Sequence, residues 1–286
     1  MRRIAASTGL VIALCGSSLP AAAAQAVGAA ASATALVVFQ PMRADIVVAG
    51  WDRDSVHVGV VGQTPTRLEV TSMTGGVQVF ERREPRDADA RPAYEVFVPR
   101  AATIRVTVRQ GIITLRGLTG AVRAGLVEGS LGADSLSGRI ELSAVTGPVE
   151  LTNSHGQIDV RSVAGDIVLS RVSGTISART TSGGVHITLV DRSTVAADSY
   201  SGPVAITGWL GGGSSTLTTH SGNISLRLPG SGDVTLFVTA VRGRTVLACG
   251  AAHRPPADGA PLPVGAGGDP VEIVSFEGTI DVRCDR

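Results

Sequence analysis

Residues 138–169 read GRIELSAVTGPVELTNSHGQIDVRSVAGDIVL, and glycine returns at every ninth position of this stretch. Two and four residues after each glycine stand aliphatic side chains, such as Ile140 and Leu142 after Gly138. The residue between them is polar or small in most units, as Glu141 is here. This alternation predicts a short β-strand with one buried face, because successive strand side chains point to opposite sides.

The nine-residue period extends well beyond this stretch. A strand of about five residues cannot bury its apolar row alone, so the units must stack as a parallel ladder with strands about 4.8 Å apart. The sequence therefore predicts an all-β fold, a single-stranded parallel β-helix (β-solenoid) of nine-residue units. The repeat glycines stand at 111, 120, 129, 138, 147, 156, 165, 174 and 183.

After Gly183 the units continue at Gly202 and Gly222, at spacings of 19 and 20 residues. These spacings favour two units per coil, and a triangular coil of three units is the alternative. Glycine suits the bend because it accepts positive φ. A further, looser inward position is expected seven residues after each glycine: Leu118, Val127, Leu136, Val145, Ser154, Val163, Val172 and Thr181.

Composition excludes several classes of protein. The chain has 286 residues, 36 glycines, 3% aromatic residues and no lysine, and its formal net charge is +1. A hydrophobic content of 43% is too high for a disordered chain. Nucleic-acid binding has no support, because there is neither a basic block nor a set of aromatic residues for base stacking.

The N-terminus has the layout of a secretory signal peptide. Two arginines precede an apolar stretch, and the small residues 21–24 follow it. We expect cleavage after Ala24, with cleavage after Ala26 as the second choice and a buried N-terminal helix as the alternative. Leu14 disfavours a lipid anchor on Cys15, because such processing needs a small residue there. No other stretch reaches the ~20 apolar residues of a membrane span, so the mature protein is expected in the periplasm, on the cell surface or in the medium.

Two cysteines remain in the mature chain, Cys249 and Cys284. An isolated pair in an oxidising compartment predicts a disulfide, with two free buried thiols as the alternative. Such a bridge contributes roughly 4 kcal/mol in the chain-entropy model. It would tie the last strand to the preceding coil.

The region before the repeats is rich in β-strand patterns but lacks the nine-residue period. Candidate strands there are 44–49, 55–61, 67–72, 76–81, 94–98 and 103–109. The expected organisation is a signal peptide at 1–24, a flexible mature N-terminus at 25–40, an N-terminal β cap at 41–110, repeats at 111–249, a Pro/Gly/Ala loop at 250–271, and a terminal strand and cap at 272–286.

The serial Ser-Gly-x-Ile-x-Leu units, the stretch ADIVVAGWDRDSV at 44–56, and Val98-Pro99-Arg100 before the first repeat resemble the DUF4097 family of bacterial adhesin-like proteins with β-strand repeats. The resemblance covers roughly 41–248. It implies a repeat architecture, and it brings no catalytic motif to this chain.

Possible sites are few. A zinc site needs three or four converging ligands, and no two histidines stand close in sequence; the five are His57, His155, His186, His220 and His253. A calcium-binding β-roll needs an Asp at its turns, yet Asp follows a repeat glycine only at Asp166 and Asp233. We therefore expect no metal, cofactor or catalytic residue.

Two pairs and one patch are the remaining candidates. In an 18-residue coil, Glu141 would stack on Asp159, and Arg161 on Arg179. Paired carboxylates at about 5 Å are the machinery of glycosidases, although a solvated charged face is the simpler interpretation. Tyr200 and Trp209 either form a small exposed patch or cover local core.

The sequence thus predicts an exported, non-enzymatic β-solenoid that serves as a cell-envelope scaffold or adhesin-like binding protein. Its partner would be an envelope protein or polysaccharide. A glycan-active β-helix enzyme and a periplasmic component of envelope-stress signalling are the alternatives.

Overall fold

The computed structural model describes residues 26–32, 35–61, 67–82, 91–230, 233–249 and 259–285. Within these ranges the regular secondary structure consists only of β-strands, so the described part of the chain is all-β. Ala24, Cys15 and the rest of the expected signal peptide lie outside the described residues. No helix capable of crossing a membrane occurs in the described ranges.

The described strands fall into three groups along the chain. The N-terminal strands are β1 (Ala26–Ala30), β2 (Leu36–Phe39), β3 (Arg43–Trp51), β4 (Ser55–Val61), β5 (Arg67–Met73), β6 (Gly76–Arg82) and β7 (Ala93–Pro99). The repeats form β8 (Thr103–Arg116), β9 (Val122–Asp134), β10 (Ser137–Thr146), β11 (Val149–Thr152), β12 (His155–Ala164), β13 (Ile167–Ser182), β14 (Val185–Leu189), β15 (Thr194–Ser201), β16 (Val204–Thr207), β17 (Ser215–Ser221) and β18 (Ile224–Leu228). The last are β19 (Val234–Ala248), β20 (Pro261–Val264) and β21 (Asp269–Cys284).

Parallel pairing joins residues that are 18 apart, as where Ile140 pairs with Ile158 and Ile158 with Ile176. These strands form ladder A, which contains β10, β12, β15, β17 and the neighbouring parts of β8, β9 and β13. The alternate units form ladder B through β11, β14, β16 and β18, where Val149 pairs with Ile167. Each 18-residue repeat therefore contains two nine-residue units, one in each ladder.

The core consists of the aliphatic side chains two and four residues after each glycine. Ile140 and Leu142 on ladder A, and Val149 and Leu151 on ladder B, are at most 2% exposed. Stacked Ile, Leu, Val and Ala rows fill the interior with few rings, which agrees with the low aromatic content. Burial of these rows is the main stabilising contribution, at about 25 cal/mol for each Å² of apolar surface.

The expectation about the position seven residues after each glycine is wrong for every second unit. Leu118, Leu136, Ser154 and Val172 are buried, but Val127, Val145, Val163 and Thr181 are exposed. The reason lies in the bend after ladder B, where residues such as Asn153 have positive φ. That conformation shifts the alternation by one residue and turns Ser154 inward. Ladder A has no such bend before its glycine, so alternation continues and Val163 points outward.

The glycines form two columns, one at each edge of the ladders. A Cβ added to Gly165 would lie 2.1 Å from the carbonyl oxygen of Gly147 in the previous repeat. A Cβ on Gly183 would meet Gly165 in the same way, at 2.4 Å. The glycine period thus arises because the backbones of successive repeats approach too closely for any side chain.

At the N-terminal end the order of the strands departs from the chain order. Strand β2 lies between β6 and β8 in ladder A, and β3 lies between β7 and β8 in ladder B. Antiparallel strands β5, β4 and β1 complete this end. The expected flexible stretch 25–40 therefore contains two paired strands, and 41–110 extends both ladders. Each candidate strand of this region has a counterpart within a few residues.

The C-terminal end repeats this arrangement. Strand β21 pairs with β17 and β18 on one side and with β19 on the other. The last strand of the chain is therefore an inner strand, and β19 lies outside it at the C-terminal end of the ladders. Cys249 and Cys284 form a disulfide between the neighbouring ends of β19 and β21. The expected loop at 250–271 contains β20, which pairs antiparallel with β19, as well as the start of β21.

Candidate binding site

The outward position next to the glycine edge of ladder A forms a continuous exposed column. We call it the outer stripe, and its members align by the register of the adjacent strands. Its large apolar members are 42–59% exposed. The outer stripe consists of Val127, Val145, Val163, Thr181, Tyr200, His220, Phe276 and Val241.

Three rings stack along one part of the outer stripe. The Tyr200 and His220 ring centroids are 4.7 Å apart with planes inclined by 7°, and those of His220 and Phe276 are 5.0 Å apart at 19°. Strands about 4.8 Å apart place the rings at this spacing. The stack exposes apolar ring edges along the ladder and leaves one end face, that of Tyr200, facing Thr181.

A shallow groove of about 530 Å³ begins at this end face. Val145, Val163 and Thr181 line its apolar side, and Tyr200 lies at its end. This combination of a mostly apolar surface and a few convergent polar groups is typical of ligand sites.

Charged side chains form the other wall of the groove. Arg161, Arg179 and Asp198 line it and occupy aligned positions on three consecutive strands. Arg161 donates a hydrogen bond to Asp159 at 2.6 Å. Within the described residues, Arg179 and Asp198 have no hydrogen-bond or ion-pair partner, so both are available to a ligand.

Behind the stripe, hydroxyl side chains point inward and hold the glycine edge. Thr180, Ser199 and Thr219 donate to the carbonyl oxygens of corner glycines at 2.9–3.2 Å. Ser162 is the exception: its residue is 6% exposed, it lines the groove, and its Oγ has no partner among the described residues.

The structure brings the expected charged pairs together. Glu141 is aligned with Asp159, and Arg161 with Arg179. However, Glu141 accepts a hydrogen bond from Arg123, and Asp159 from Arg161. Each carboxylate is therefore neutralised by its own arginine, as in a charged outer face.

The histidines lie in different environments. His155 and His186 are exposed, His57 is next to Trp51 and Phe97, and His220 is in the ring stack. His253 lies outside the described residues. The described part of the chain contains no group of three or more His, Cys, Asp or Glu side chains arranged to hold a metal ion.

Tyr200 and Trp209 do not form one patch. Trp209 is 41% exposed and follows β16 of ladder B, whereas Tyr200 is on ladder A. His220 and Phe276 were missed as neighbours of Tyr200: His220 stands 20 residues after Tyr200, at the equivalent position of the next repeat, and Phe276 stands another 56 residues along the chain. A signal was present, since Tyr200, His220 and Phe276 each stand two residues before a glycine.

Asp134 has a carboxyl group with a lowered pKa. Hydrogen bonds from Thr152, Asn153 and Ser135 hold the pKa of the Asp134 carboxyl below its ordinary value of 3.8. Asn153 in turn accepts a hydrogen bond from Arg171 at 2.6 Å. This network joins three consecutive repeats at the bend that follows ladder B, on the opposite edge from the outer stripe.

Comparison with known proteins gives distant structural similarity. No protein-family model and no curated protein matches the chain, so the resemblance to DUF4097 stays a prediction. A structure described as a putative cell adhesion protein from Clostridium sporogenes ATCC 15579 is 9% identical and has a TM-score of 0.24, over 91% of this chain and 99% of that one. A putative lipid binding protein from Parabacteroides distasonis ATCC 8503 is 9% identical with a TM-score of 0.33, over 92% and 98%.

Proposed function

We propose that the chain is an exported β-solenoid that acts without catalysis as a cell-envelope scaffold or adhesin-like binding protein. The 18-residue register in two parallel ladders supports the solenoid, and the layout of residues 1–24 supports export. The outer stripe carries the proposal, because contiguous exposed apolar patches on soluble proteins mark contact surfaces. The extended envelope polymer or protein proposed as partner would lie along this stripe.

Expression in a bacterial host, followed by fractionation, tests the proposal. The processed protein should appear outside the cytoplasm and sediment with envelope material. Val145→Glu with Val163→Glu should abolish this retention, because two charges interrupt the stripe. Val190→Glu is the matched control: Val190 is 44% exposed and lies outside the stripe. Unprocessed protein in the cytoplasm, or turnover of cell-wall polysaccharide by the purified protein, would overturn the proposal.

A further inference from the structure

The groove on ladder A has one flat aromatic wall. Tyr200 stacks on His220 through one ring face, so its other face is turned towards Thr181 and the groove. Tyr200 is 59% exposed, compared with 42% for Phe276 at the other end of the ring stack. The stacked neighbour also fixes the ring plane, so a ligand meeting this face would not have to immobilise a free side chain.

The adjacent wall offers both a donor and an acceptor. Arg179 and Asp198 are aligned on neighbouring strands, and neither is paired with another described residue. A guanidinium has five N–H donors, and a carboxylate only accepts.

This combination distinguishes between ligand classes. A phosphate or carboxylate would be attracted by Arg179 but repelled by Asp198, which is aligned with Arg179 on the neighbouring strand about 4.8 Å away. An acyl chain could form no hydrogen bond with Arg179 or Asp198, and both side chains would stay hydrated. A sugar ring has an apolar C–H face for Tyr200 and adjacent hydroxyls that donate to Asp198 and accept from Arg179.

We infer that this groove binds a neutral polysaccharide. One sugar ring stacks on Tyr200, and its hydroxyls contact Arg179 and Asp198. This inference rests on the proposed binding function and names its ligand class and site.

The test uses the full mature protein and neutral hexaoses derived from cellulose, chitin, amylose, laminarin and mannan. Saturation-transfer difference NMR measures binding, and titration gives the dissociation constant. We expect at least one hexaose to bind and Tyr200→Ala to weaken it about tenfold, since one aromatic contact of ordinary strength is lost. Tyr200→Phe should retain most of the affinity, because the ring face remains. Asp198→Asn with Arg179→Gln should weaken binding by at least as much as Tyr200→Ala.

Trp209→Ala is the matched control, because it removes an exposed ring outside the groove. Thermal midpoints show that each variant is folded. The inference is overturned if no hexaose binds, if Tyr200→Ala binds as the wild type does, or if oligogalacturonate or phosphatidylglycerol vesicles bind in preference. Envelope retention that survives such a result would leave the proposed function standing, with a different ligand.

Discussion

Replacing Gly165 by alanine tests the close approach of successive repeats. The added Cβ would lie 2.1 Å from the Gly147 carbonyl oxygen, whereas real contacts are essentially never under 3.0 Å. The two repeats must therefore separate by roughly 1 Å, beyond hydrogen-bonding distance for neighbouring pairs. The pairs affected are Gly147 N–H to Ala164 O and Val149 N–H to Asp166 O, both now 2.9 Å.

The magnitude follows from these two bonds. Each contributes about 1 kcal/mol net, and the loss of packing around them adds a similar amount. The lower chain entropy of alanine in the unfolded state offsets about 0.4–1 kcal/mol. We expect a net loss of about 2–3 kcal/mol, which lowers the melting midpoint of a chain of this size by roughly 5–10 °C.

Differential scanning calorimetry and urea unfolding measure the change with the disulfide intact. Gly132→Ala is the control, since its Cβ would have no neighbour nearer than 4.0 Å and its backbone is in ordinary strand conformation. This control should be neutral or slightly stabilising. A Gly165→Ala midpoint equal to that of Gly132→Ala would refute the argument that backbone proximity maintains the glycine column.

Three further outcomes are expected. Replacing both Cys249 and Cys284 by serine should lower the free energy of unfolding by roughly 2–4 kcal/mol and speed hydrogen exchange in β21 more than in β12. Exchange in β21 at the same rate in the wild type and in the double-serine variant would contradict the role of the bridge. Leu151→Ala, at a fully buried site, should cost about 2–5 kcal/mol, whereas Val163→Ala on the stripe should change the urea midpoint little. Because folding lowers the pKa of Asp134, this carboxylate stabilises the fold above pH 3.8, and the contribution is lost as the pH falls through the folded pKa. Asp134→Ala should therefore destabilise the protein at pH 7 and much less at pH 2, and an NMR titration of Asp134 with an ordinary pKa would refute this.

Periodicity predicted the strands and their inward rows well, because a residue such as Ile158 must be buried wherever its strand pairs. It predicted the alignment of Glu141 with Asp159 for the same reason. The position seven residues after glycine could not be predicted from a nine-residue period. Positive φ at Asn153 resets the alternation in one ladder only. Among the residues at the equivalent position of ladder B, only glycine and asparagine commonly adopt positive φ, so the difference between the two units is a weak signal in the sequence. These residues are Gly117, Ser135, Asn153 and Arg171, whereas ladder A has Leu126, Ala144, Ser162 and Thr180 there.

The ends of the molecule were harder to predict than its middle. Strand β21 lies between β17 and β18 on one side and β19 on the other, so Phe276 meets His220 of β17 across 56 residues of sequence. Spacing along the chain describes only neighbours that follow in order, and an inserted strand breaks that order. The ring stack could therefore be recognised only from the register of β21, although each ring stands two residues before a glycine.

The repeats allow positions to be compared within the one chain. The inward positions are mainly Ile, Leu, Val and Ala, because the core excludes polar side chains. The column that includes Gly147 and Gly165 has glycine at all seven positions from Gly129 to Gly278, because the backbones approach too closely for a side chain. The outer stripe meets no such constraint: valine, threonine, tyrosine, histidine and phenylalanine all occupy it. Folding would accept any polar residue at this exposed position, and polar residues would keep the surface more soluble. Valine, threonine, tyrosine and phenylalanine also have high strand propensity, so the residues of the outer stripe suit an exposed strand as well as the contact surface proposed above.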